Sequence, residues 1–109
     1  MTTHRDTTPP IVGKGKFRYR PVSGFGTVPG GYDYIDVVGI ATDSQDRVYI
    51  FNRGEKPLIV FDGDGNFIRT WGEGMFARPH GIYIDANDHM FLTDDRGHTV
   101  QNSPSTANC

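Results

Sequence analysis

The residues Arg78 to Asp85 read RPHGIYID, which sets His80 at the start of an apolar run with Pro79 behind it and Gly81 ahead. An imidazole at that place has two uses. Several such groups converging on one metal, with a coordination position left open, make a catalytic zinc site. A single one can equally be a partly buried histidine bonded to a backbone carbonyl. Arg53, in FNRGE, offers a planar guanidinium that grips a carboxylate at two points, which lysine does not reproduce. Its plainer use is to face solvent or pair with Glu55, a surface contact of little energetic weight.

A third group is Asp62, Asp64, Asn66 and Glu73 in DGDGNFIRTWGE, spaced as oxygen ligands of a helix–loop–helix calcium site. Phe67 stands where that loop requires glycine, and the flanks LIVF and FIRTW have strand composition. A hairpin turn explains the same letters. Asp94 and Asp95 follow an apolar run and are expected to accept hydrogen bonds from turn amides. General acid–base work would need a partner of shifted pKa. His98 is expected to fix a loop by a hydrogen bond and His89 to be solvated in a turn, while His4 falls in the N-terminal lead.

These residues sit on short apolar runs parted by turn signals. FRYRPV (17–22), VVGIAT (37–42), RVYIFN (47–52), PLIVFD (57–62) and FIRTWG (67–72) are rich in Val, Ile, Phe and Tyr. SQD and GDGN are hairpin-type connectors, and no interval is long enough for a helix. SGFGTVPGGYD (23–33) is a glycine-rich loop. The chain is therefore expected to be all-β. Runs such as VYIF and LIVF are apolar on both faces, as in a sheet packed between two neighbours.

An internal repeat organises the runs. Gly39 and Gly81, Ile40 and Ile82, Asp43 and Asp85, and Asp46 and Asp88 match at an offset of 42 without a gap. Val38 stands in the first copy where His80 stands in the second. A period of this length, made of four short strands, has the dimension of one β-propeller blade. The expected organisation is a disordered lead-in over 1–16 and antiparallel four-stranded blades over 17–101. One full repeat covers about 37–79 and a partial one about 80–101, with a disordered tail over 102–109. About two blades make an incomplete ring. Because repeat arrays generally need three or more units, the chain is expected to be a fragment or a truncated reading frame. Association with other copies of the chain is the alternative.

Composition narrows the function classes. With 109 residues there is one domain at most, and a net charge of −2 without a basic cluster argues against nucleic acid. No apolar run is long enough to span a bilayer and no secretory signal is visible, which makes a cytoplasmic location the default expectation. Cys109, the single cysteine, gives no disulfide framework.

KPLIVFDGDGNFIRTWG resembles the NHL repeat, and GHTVQ (97–101) resembles the start of its next copy. NHL proteins of this type form six-bladed propellers. Within that group, VYIFNRGE together with WGEGMFARPHGIYID is similar to peptidyl-α-hydroxyglycine α-amidating lyase and its bacterial relatives. The resemblance implies zinc-dependent cleavage of a peptidyl-α-hydroxyglycine to a peptide amide and glyoxylate. It implies His80 as one of three zinc ligands, Arg53 as a catalytic residue contacting the substrate, and a structural calcium held by the backbone carbonyls of Ile40 and Ile82. The remaining ligands and the catalytic tyrosine of the family would lie in later blades. The expectation for this chain alone is therefore an inactive lyase-like segment with a small peptide as its ligand. The alternative is a non-enzymatic NHL segment that serves as a binding scaffold for a protein partner.

Overall fold

In the computed structural model, which describes residues 10–30 and 34–104, the chain is all-β and its described residues form no helix. Nine strands follow in order: β1 (Val12–Lys14), β2 (Phe17–Tyr19), β3 (Gly39–Thr42), β4 (Val48–Phe51), β5 (Leu58–Phe61), β6 (Phe67–Trp71), β7 (Pro79–Ile84), β8 (His89–Asp94) and β9 (Thr99–Pro104). All pairings are antiparallel, in sheets of two strands (β1-β2), four (β3-β4-β5-β6) and three (β7-β8-β9).

Strand structure reaches further at both ends than the side-chain pattern suggests. β1 lies inside the expected lead-in over 1–16, because Gly15, with φ of 59°, closes a two-residue turn that pairs Lys14 with Phe17. β9 runs to Pro104, inside the expected tail, because it pairs by backbone with β8 as far as His89↔Pro104. Such pairing needs no apolar period. The rest of the lead and tail, residues 1–9 and 105–109 with His4 and Cys109, lies outside the described residues.

The core explains why LIVF is apolar on both faces. All four residues of β5 are buried. One face carries Leu58 and Val60 beside Tyr49 and Phe51 of β4, and these meet Met90 and Leu92 from β8 of the next sheet. The other face carries Phe61, whose ring meets Phe25 edge-on at 6.1 Å between centroids. The glycine-rich stretch around Phe25 thus covers the far side of the four-stranded sheet. The two larger sheets come closest at β3 and β7. A Cβ added to Gly39 would lie 2.9 Å from Ile82 Cγ2 and 3.3 Å from its backbone nitrogen, so only glycine permits that approach.

Three strand connections are built alike. In the loops opened by Asp43, Asp62 and Asp85, the Oδ1 atom accepts the N–H groups two and four residues on, at 2.8–3.0 Å. The carbonyl of the same aspartate accepts the N–H three residues on, and the residue there has positive φ: Asp46 at 60°, Gly65 at 89° and Asp88 at 61°. This is the three-residue hairpin loop that ends in a left-handed residue. Two of the three loops are the matched pair at an offset of 42. The loops of neighbouring sheets also touch, since Ser44 N–H donates to Asp88 Oδ1 at 2.9 Å and Ser44 Oγ bonds to Asp88 Oδ2.

The carboxylates of Asp43, Asp62 and Asp85 titrate below their ordinary range. For Asp62 and Asp85 the chief causes are the N–H donors of Asn66 and His89 respectively. For Asp43, burial pushes the pKa up, but donors from Arg47, Tyr49 and Gln45 outweigh it and the net direction is down. A carboxylate depressed in the folded state stabilises the protein above its unfolded pKa, and that stability is lost as pH falls through the folded value. Thermal melting followed by circular dichroism should therefore give a midpoint that holds down to about pH 4 and drops steeply below it. A midpoint unchanged to roughly pH 2 would contradict this role. In the core, Leu58→Ala should cost about 2–5 kcal/mol in denaturant unfolding, because the side chain is fully buried between two sheets.

Candidate functional site

The site lies where the end of β4, the start of β7 and the end of β8 meet. Asn52 follows β4 and Asp94 closes β8, at the same offset of 42. Each uses its side chain to hold an incoming segment and an outgoing loop. Asn52 Oδ1 accepts the Gly54 N–H at 2.7 Å and the Ile35 N–H at 3.5 Å, while its Nδ2 donates to the carbonyls of Lys56 and Pro57 at 2.9 and 3.2 Å. Asp94 accepts the N–H groups of Ala77, Arg78, Arg96 and Gly97 at 2.6, 3.0, 3.2 and 2.8 Å. A carboxylate can only accept, so it gathers donors, whereas the amide does both. The Gly97 N–H donor, then Ala77, Arg78 and Arg96, keeps the Asp94 pKa below its ordinary value against the opposing effect of burial. A Cβ on Gly97 would come within 2.8 Å of Asp94 Oδ2, so this loop needs glycine.

That frame brings Arg53 and the segment of His80 together. Arg53 neither floats in solvent nor pairs with Glu55: its Nε donates to the Pro79 carbonyl at 2.9 Å, across from one sheet to the next. Its own N–H donates to the Ile35 carbonyl at 2.6 Å. With the Ser44–Asp88 contact, this fastens β3 to β7 near both ends.

His80 is the bulged residue of β7. Pro79 pairs with Asp94 and Gly81 with Thr93, so the residue between them faces no partner. Its side chain is 63% exposed, with Nδ1 3.7 Å from Asp95 Oδ2. It is thus not the partly buried, carbonyl-bonded histidine that its apolar neighbourhood allowed. Asp95 is shared with Arg78, whose Nε is 3.4 Å from Oδ1.

Beside this corner a cleft of about 350 Å³ opens, with Arg53, Arg78 and Arg96 among its lining residues. Phe76 helps to form it and is anchored by edge-on contacts with Phe51 and Trp71, at 5.0 and 6.4 Å between centroids.

The other candidates are placed elsewhere. Ile40 and Ile82 lie on the neighbouring strands β3 and β7. Asp62 is occupied by the amides of Asp64 and Asn66, and Glu73 pairs with Lys56 at 2.9 Å, so the calcium-like spelling is a hairpin turn. His89, expected in a turn, is the exposed first residue of β8, with Nδ1 3.6 Å from Asp85 Oδ2, and His98 is exposed with φ of 54°. Among the described residues, no group of three or more His, Cys, Asp or Glu side chains is placed to hold a metal ion. The chain matches no known family model.

Arg78, Arg96 and Asn52 were not singled out by the sequence. The signal for Asn52 was present, since it stands 42 residues before Asp94 at the same strand end. Removing the bridge between the sheets tests the geometry. Arg53→Ala should lower unfolding free energy by about 1.5 kcal/mol, the scale of a hydrogen bond from a charged group. Urea denaturation reads it, and a difference within error would mean that the contact holds nothing.

Proposed function

We propose that the chain is an NHL-type propeller segment similar to the amidating-lyase group, and that the Arg53–His80 corner is its part of a lyase-like site. The four-stranded sheet would be one blade and the three-stranded sheet part of the next, with β3 and β7 as inner strands. The observation that carries this reading is the 2.9 Å bond from Arg53 Nε to the Pro79 carbonyl. It joins the two motifs, FNRGE and RPHGIYID, that the resemblance pairs. On this reading Arg53 anchors the carboxylate of a small peptide substrate and His80 contributes one imidazole toward zinc.

The described residues do not fit a three-ligand zinc centre by themselves. One exposed imidazole beside Asp95 falls short of the ligand set. No step is therefore assigned to a metal in this chain. The same holds for calcium at the carbonyls of Ile40 and Ile82, since two oxygens are a minority of the six to eight that calcium takes. The lack of a full ligand set favours the scaffold reading as the second choice, in which the corner binds and does not cleave.

The purified chain should give no zinc-dependent turnover of a peptidyl-α-hydroxyglycine. Calorimetric zinc titration should show weak binding whose heat falls in His80→Ala. Zinc-dependent turnover would overturn the inactive reading, and titrations identical for both proteins would remove His80 as a ligand.

A further inference from the structure

We infer that the cleft beside the Gly54 loop is a metal-independent carboxylate site, in which Arg78 and Arg96 act with Arg53 over an apolar floor of Pro57, Phe76 and Pro79. Its volume, about 350 Å³, is that of a pocket for a small ligand. Three arginines are among its lining residues against one acidic residue, Glu55, so the residues around it carry an excess of positive charge.

The state of each guanidinium matters more than their number. Arg53 spends Nε on the Pro79 carbonyl, which fixes the plane of the group and leaves its terminal nitrogens as donors. Arg78 is held only by a 3.4 Å contact to Asp95, about half-exposed, the kind of pair that a better acceptor displaces. Arg96 makes no ion pair among the described residues. The backbones of Arg78 and Arg96 are both fixed by Asp94, so their side chains start from set positions. Little backbone ordering then remains to oppose binding.

A guanidinium fork matches a carboxylate in shape and charge, and the floor matches a hydrocarbon group next to it. The fitting ligand is therefore a carboxylate carried beside an apolar group. The choice of a peptide C-terminus among such ligands rests on the proposed function; selection for the carboxylate rests on the cleft alone.

Calorimetry of the full chain in a metal chelator tests this with three probes: N-acetyl-phenylalanyl-glycine, its C-terminal amide, and 3-phenylpropanoate. The peptide acid should bind at least about tenfold more tightly than the amide. Arg96→Ala and Arg78→Ala should each weaken the acid by roughly fivefold or more, and Arg96→Lys by less. If phenylpropanoate binds as well as the peptide acid, the cleft stands and the peptide choice fails. Equal binding of acid and amide, or no binding of either acid, would overturn the inference.

Discussion

The Asp94 carboxylate, 4% exposed at the end of β8, is the constraint on which the site depends. A buried charge is costly unless its acceptor sites are filled. Here four backbone N–H groups fill them, two from the segment entering β7 and two from the loop leaving β8. Hydrogen bonds to an ionised acceptor are the stronger kind, so the carboxylate fixes the two segments relative to each other. The position of Pro79, the bulge at His80 and the starting points of Arg78 and Arg96 all follow from that fixation. Asn52 does the same for the previous sheet, with an amide that both donates and accepts.

The wider structure makes this local order possible. The four-stranded sheet is covered on one face by the next sheet and on the other by the stretch around Phe25, so the ends of its strands are held by packing. Arg53 and Ser44 then add polar contacts near the two ends of the β3–β7 junction. Apolar burial holds the middle of the interface. Directional hydrogen bonds set its ends, and the chemical groups are displayed at one of them.

The strands themselves were legible because burial leaves a pattern. PLIVFD, RVYIFN and FIRTWG each hold the strand that they suggested, with boundaries within a residue or so. β1 and the end of β9 were not legible, since one rests on a glycine turn and the other on backbone pairing along a sheet edge. The same distinction runs through the site. Arg53 and His80 stood out by residue type, and Asp94 was expected to bind turn amides, as it does. The partner of Arg53 is a backbone carbonyl, which no side chain announces. The bulge that exposes His80 is a matter of register, and the gathering of Arg78 and Arg96 around one cleft depends on a fold that brings together residues far apart in sequence.

Amide hydrogen exchange by NMR, comparing the chain with Asp94→Ala, tests the central role of that carboxylate most directly. The N–H groups of Ala77, Arg78, Arg96 and Gly97 should be protected and should lose protection together in the variant. The Asn87 and His89 amides, held by Asp85, should keep theirs. Unchanged protection of the four amides would contradict it.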